Sequence, residues 1–374
     1  MNLHWRKTPW RLMLAINAAV LVGVFLYKVG RPPFVPYIHL LVDYHFGFTK
    51  RALIGAIVAL FAAKIPVWLV FALGGAIWLL TAWLFTVLFR RTFGFDRTHL
   101  PLFLFMAGSP FFLKNFMHTL GHFDIYGCAA ALVLLLLPAG SIWFVVLAAL
   151  TSIILVLIHH IHLLMYVPTI AAIVLVRYYF RQRPTPLNVS VGMLSAAGIS
   201  VLFLVAQFYG TLTVPHETFL NYLRSRMADP QRNDLLQFSY IWYQPLAREI
   251  SDTWQRMPSN LLGVPVYALL IWLHTPLWRY FRTLIGAIAD DLHRKTILAL
   301  LVGISLAYLV MFGMVFDYSR WISNWAVCMF LMLFAVRALP GTAAVIPPSP
   351  DDSKNAIFGW ILTVIPRVGI VRPF

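Results

Sequence analysis

The stretch PVWLVFALGGAIWLLTAWLFTVLF, Pro66 to Phe89, contains no charged residue. At 1.5 Å per residue a helix of this length reaches about 36 Å, more than the roughly 30 Å hydrocarbon core of a bilayer. It stops at Arg90 and Arg91, as a crossing does when it ends among lipid phosphates. Outward from this run the chain repeats the pattern, with apolar segments separated by short basic ones. Of 374 residues, 61% are hydrophobic and 11% charged, whereas an ordinary soluble domain has about 25% charged residues. The composition predicts an all-α polytopic membrane protein. A net charge of +16 would suggest nucleic acid in a soluble chain. Here the cations cluster between apolar runs, so the charge reports topology and no nucleic-acid partner is expected. Cys128 and Cys328 lie far apart inside apolar runs and offer neither zinc spacing nor a disulfide framework.

Crossings are expected at 12–27, 66–89, 99–115, 125–139, 142–160, 162–179, 187–208, 260–278, 296–315 and 321–337, about ten in all. The basic start MNLHWRKTPWR, Met1 to Arg11, feeds the first, and no small-residue cleavage site follows. The apolar piece Ala52 to Ile65 is short and closed by Lys64 and Pro66, which makes it a re-entrant or interfacial helix after the first outer loop. Arg90, Arg91, Arg97, Arg177, Arg181, Arg183, Arg279, Arg282, Arg294, Lys295 and Arg337 then fall on the cytoplasmic side, as the positive-inside rule requires. The expected organisation is a membrane domain over 1–337, with outer loops 28–65 and 209–259, and a flexible cytoplasmic tail over 338–374. Both termini are placed in the cytoplasm. Within the longer loop, HETFLNYLRSRM and FSYIWYQPL read as amphipathic helices resting on the interface.

On this topology Asp43, His45, His118, His122, Asp124, His159, His160, His162, His216, Glu217, Asp317 and Arg320 all fall at outer ends of crossings or in outer loops. Ionisable groups near hydrocarbon cost about 2.5 to 3.5 kcal/mol each, so a shared outward-facing polar cavity is the economical arrangement. Plainer readings stand beside this one. Lys50 and Arg51 in DYHFGFTKR suit snorkelling to lipid phosphates. Asp124 suits a helix start, and Asp317 and Arg320, three apart, suit a local ion pair. His159 and His162 lie one turn apart and resemble half a metal site, for which His122 or Glu217 would supply a third ligand. No metal ligand set is assigned, and use of a divalent cation stays open.

The order of these pieces resembles that of bacterial polytopic proteins related to GT-C-type glycosyltransferases. The matching segments are DYHFGFTKRALIG from Asp43 to Gly55, GHFD from Gly121 to Asp124, IHHI from Ile158 to Ile161, and DYSRW from Asp317 to Trp321. One departure is His160, where such relatives often carry an acid after the histidine. The resemblance implies a multi-pass protein of the bacterial inner membrane with a cavity open to the outer side. It also implies a donor sugar on a polyprenyl-phosphate carrier and a cell-envelope glycan or lipid acceptor. Asp43 would serve as base, with Asp124 as a second carboxylate candidate. His45, Lys50, Arg51, His122, His159, Glu217, Asp317 and Arg320 would bind substrate. The physical chemistry agrees: an anionic leaving group at headgroup level needs cations, and an acceptor hydroxyl needs a carboxylate. A secondary transporter or flippase, and a polysaccharide polymerase or ligase, remain alternatives.

Overall fold

The computed structural model describes residues 10–182 and 185–368. Residues 1–9 and Arg183, which the sequence reading placed on the cytoplasmic side, lie outside the described residues. The chain is helical, and among the described residues the only β pairing is an isolated parallel bridge between Ile65 and Met227.

The helices run in order as α1 (Trp10–Val29), α2 (Phe34–Leu41), α3 (Leu53–Ala59), α4 (Trp68–Phe93), α5 (Leu100–Ala107) and α6 (Leu113–His118). Next come α7 (Asp124–Leu136), α8 (Ile142–Ile158), α9 (His162–Met165), α10 (Val167–Val174), α11 (Pro186–Tyr209) and α12 (His216–Arg226). The last six are α13 (Leu246–Leu261), α14 (Val264–Leu273), α15 (Thr275–Gly286), α16 (Asp291–Met314), α17 (Tyr318–Arg337) and α18 (Ser353–Val364).

Among the described residues five helices, α1, α4, α11, α16 and α17, are long and apolar enough to cross a bilayer. On α11, Leu187, Leu194, Val201 and Phe208 all point outward, a surface that water would not tolerate but lipid does. Helix α17 is the opposite case. From Ala326 to Val336 every residue is buried, against α7, α10 and α16 among others. Lipid tails are as apolar as leucine, so such packing is held by dispersion and polar contacts.

Several expected crossings are broken or short. The run 99–115 divides into α5 and α6 around Gly108, Ser109 and Pro110, where proline removes a backbone donor. The run 260–278 divides at His274 between α14 and α15. These breaks are stitched together: buried His274 pairs through Nε2 with Ser109 Oγ at 2.9 Å and through Nδ1 with the Leu270 carbonyl at 2.7 Å. Irregular backbone inside a bundle persists only where protein groups satisfy it.

The two expected outer loops form one cap. Tyr37, Leu41 and Val42 share an apolar core with Phe219, Leu223, Met227 and Trp242. Ala52 to Ile65 becomes the short α3, packed on α2, followed by the bridge to Met227.

Residues 338–368 depart from the expected flexible tail. Helix α18 packs on α1 and α5. Its approach is fixed by an Arg97–Asp351 ion pair at 2.9 Å and by Trp10, whose indole N–H donates to the Pro350 carbonyl at 3.0 Å. The ammonium of fully buried Lys114 then donates to the carbonyls of Gly108 (3.0 Å), Leu362 (2.8 Å) and Thr363 (2.6 Å). A cation at the carboxyl ends of α5 and α18 meets the negative ends of both helix dipoles. The composition of 340–354 reads as a linker, but the apolar helix after it finds this seat among residues far away in sequence.

Candidate functional site

A cavity of about 360 Å³ lies between the cap and the bundle. Its wall includes Arg51, His122, His159, Asp317 and Arg320, residues from all four segments singled out in the sequence. Asp43, His45, Lys50, Asp124 and Glu217 do not line it.

The segment after α2 explains the division. Asp43 accepts from the Tyr222 hydroxyl at 2.6 Å, from Arg226 Nη1 at 2.8 Å and from the His45 backbone N–H at 3.0 Å. It closes a local turn and ties the first loop to α12. His45 stacks on the Tyr222 ring at 4.3 Å, and Phe46 packs edge-on to the same ring. The first half of DYHFGFTKR therefore binds cap to cap. Lys50 is buried, with its ammonium donating to the Gln244 carbonyl at 2.9 Å and facing Glu249 at 3.4 Å. Burial lowers its pKa; Glu249 works against this shift and Arg51 adds to it.

The Lys50 backbone is pinned on both sides, its N–H donating to Gly210 O at 2.9 Å and its carbonyl accepting from the Trp242 indole at 3.1 Å. Between these clamps and α3, Arg51 adopts φ 65°, and it is the only non-glycine residue with positive φ among those described. A left-handed backbone on a side-chain-bearing residue costs about 1 to 3 kcal/mol and persists where surroundings enforce it. Here it directs a guanidinium into the cavity wall. The buried Nε of Arg51 has no hydrogen-bond partner among the described residues.

Gly121 sets up the second segment. Its φ is +86°, and a Cβ there would meet Val70 Cγ1 at 2.7 Å and Pro36 Cβ at 2.9 Å. Only glycine fits, and the turn sends His122 to the cavity and Asp124 to the bundle interior. Asp124 receives Arg320 as a two-pronged fork, Nε to Oδ2 at 2.5 Å and Nη2 to Oδ1 at 2.7 Å. Asn324 adds a bond to Oδ2 at 3.2 Å and itself accepts from the Tyr166 hydroxyl at 2.6 Å. Asp124 is thus the counter-ion that fixes Arg320 at the cavity. Asp317 stands 3.6 Å from Arg320 Nη1, and its carboxyl is pushed up by burial and by the charge of Asp124, while Arg320 pulls it down.

His159 reaches the cavity, whereas His162 turns away and pairs through Nε2 with the Phe123 carbonyl at 3.2 Å. Among the described residues no three His, Cys, Asp or Glu side chains are grouped to hold a metal ion. Glu217 is exposed and pairs with Arg224 at 2.8 Å, and His216 bonds Ser239 at 2.9 Å.

Other wall residues were not singled out beforehand: Lys28, His39, Asn115, Glu249, Asp252 and Arg367. His39 stacks on Phe123 at 4.1 Å, and both its ring nitrogens are buried without a partner, as is Asn115 Nδ2. A histidine inside an apolar helix was the one signal available for His39. Burial first, then neighbouring cations, hold His39 and His122 well below the usual imidazole range, so both are neutral at pH 7. Buried polar atoms without a partner are uncommon in a folded protein, and here several belong to residues around one cavity. Cations Lys28, Arg51, Arg320 and Arg367 face acids Glu249, Asp252 and Asp317. With Glu249 engaged by Lys50 and Arg320 by Asp124, three cations stand against Asp252 and Asp317, and the wall favours an anion.

Comparison with protein families, with curated proteins and with solved structures finds no match.

Proposed function

We propose that the protein is a membrane glycosyltransferase of GT-C-like type, moving a sugar from a polyprenyl-phosphate-linked donor to a cell-envelope glycan or lipid acceptor. The observation that supports this reading is the convergence of residues from four distant segments on one cation-rich cavity between cap and bundle. In the proposed topology α5 with α6, α9 with α10, and α14 with α15 each make one broken crossing. Together with α1, α4, α7, α8, α11, α16 and α17 they give the ten crossings expected from hydropathy, and residues 350–367, which run from beside Trp10 to the cavity beside Lys28, add an eleventh not expected from the sequence, with the cap and cavity on the outer side of the inner membrane.

In this mechanism Arg51 and Arg320 hold the donor phosphate. Arg320 suits the task because it lines the cavity while Asp124, bound to Nε and Nη2, fixes its plane and leaves Nη1 uncommitted to that fork. The acceptor oxygen attacks the anomeric carbon as the carbon–oxygen bond to phosphate breaks, and the two guanidiniums stabilise the negative charge on the departing phosphate. Asp317 takes the hydroxyl proton. The base assignment moves from Asp43 because Asp43 is committed to Arg226 and Tyr222 away from the cavity. Asp124 has both oxygens bound to Arg320. A carboxylate with a raised pKa is the stronger base. One carboxylate acting on a direct displacement inverts the anomeric centre.

The test is a glycolipid profile of a strain lacking the protein, complemented with the wild type or with Asp317→Asn. Lipid-linked sugar should accumulate without the protein and with the variant, and disappear with the wild type. An unchanged lipid pool in all three strains would rule out the donor class.

A further inference from the structure

The four cations of the cavity come from two corners of the fold. Arg51 and Arg320 belong to the corner built by the α2–α3 segment, α7 and α17. Lys28, at the end of α1, and Arg367, just beyond α18, belong to the corner where α1, α6 and α18 meet. His118, at the end of α6, lies in the same corner, its ring stacked on Tyr27 beside Lys28 at 6.1 Å. Arg367 is exposed to the cavity although it follows a helix whose last turn is gripped by the fully buried Lys114. His122 stands between the corners, with Arg320 and Lys28 as its strongest charged neighbours. No acid among the described residues forms an ion pair with Lys28 or Arg367, whereas Arg320 already has Asp124. A single phosphate uses one cation pair, and two unpaired cations in a second corner of the same cavity call for a second anionic group.

We propose that Lys28 and Arg367 form a second phosphoryl-binding subsite, and that the ligand of this cavity is a lipid-borne diphosphate. The inference rests on the lipid-carrier reading above and narrows it, because one phosphoryl group would lie on Arg51 and Arg320 and the next on Lys28 and Arg367. His39 and Asn115 line the same space, and their nitrogens are buried without a hydrogen-bond partner among the described residues. Lys114 acts as a positioning residue, since it fixes the end of α18 from which Arg367 extends.

The experiment measures binding of farnesyl diphosphate, farnesyl monophosphate and inorganic pyrophosphate to the purified full chain in detergent. A charge-assisted contact changes affinity by about tenfold or more. The wild type should therefore bind farnesyl diphosphate at least about tenfold more tightly than the monophosphate. Arg367→Gln and Lys28→Gln should remove that gap and leave monophosphate binding within about twofold, whereas Arg51→Gln should weaken both lipids. Arg367 is exposed, so its variant should melt with the wild type and report binding alone. Equal affinity of the wild type for the two farnesyl lipids, or an equal loss of both in Arg367→Gln, overturns the second subsite. Pyrophosphate binding as tight as farnesyl diphosphate overturns the lipid-borne source. Absence of binding by either lipid removes the lipid-carrier reading itself, and this inference with it.

Discussion

Replacing Asp124 by asparagine tests the centre of the site. The substitution keeps the shape but removes the charge that Arg320 meets at 2.5 and 2.7 Å, and it turns one acceptor oxygen into an amide that repels the guanidinium. Asp124 is fully buried and the Arg320 side chain is only 14% exposed, so the abandoned cation keeps little water. Removing one partner of a buried pair costs about 3 to 5 kcal/mol, a large share of the roughly 5 to 15 kcal/mol that holds a folded protein together. Part of the loss is recoverable, because Asp317 stands 3.6 Å from Arg320 and offers it a substitute. Denaturant unfolding in detergent, followed by tryptophan fluorescence, should place Asp124→Asn about 3 kcal/mol or more below the wild type. The double variant with Arg320→Gln should recover part of that loss, since it removes the stranded guanidinium, although Asp317 then loses the cation 3.6 Å away. A loss below about 1 kcal/mol, the size of an exposed ion pair, would refute the counter-ion argument.

Asp43 and Arg226 should behave as one unit: Asp43→Asn and Arg226→Gln should lower stability to a similar extent, with transfer falling only in proportion to folded protein. A loss of transfer by about 100-fold in Asp43→Asn alone, at normal abundance, would return the role of base to Asp43. Asp317→Asn should cut transfer by about 100-fold or more. Because the Asp317 carboxyl is pushed up, wild-type transfer should fall on acidification at a higher pH than an ordinary aspartate would give, and this limb should vanish in the variant. Arg51→Gly should relieve the left-handed backbone and leave thermal stability equal or higher, while farnesyl monophosphate binding drops by about tenfold or more. Parallel losses of stability and binding would show that Arg51 is needed for folding instead.

The helical class was legible because a charge-free run such as Pro66 to Phe89 has few other solutions. Breaks at Ser109 and His274 were harder to read, since the bond that joins them spans 165 residues. The site was half legible for the same reason. Sequence shows that acids and cations gather at helix ends, but not which acid is already spoken for. Asp43 looked like a free base because its partners, Tyr222 and Arg226, lie 179 and 183 residues further on. Lys50 and Arg51 looked equivalent, yet a single positive φ sends one to the cavity while the other stays with Glu249. Arg367 escaped notice because a proline-rich connection reads as a tether, and nothing local shows that α18 lodges against α1.

The grip of Lys114 on α18 bears on how the molecule is put together. During synthesis Lys114 emerges long before Leu362 and Thr363, so for most of translation its ammonium has only the Gly108 carbonyl of its three final acceptors. Residues 353–364 bring the other two, and their docking completes the set of acceptors around a cation that is fully buried in the finished protein. The wall that contains Arg367 is therefore laid last, and its closure is rewarded at a point remote from any substrate. A chain that has folded its cap and central helix but not yet seated α18 is held back from its most stable form, which makes completion of the cavity and completion of the fold the same event.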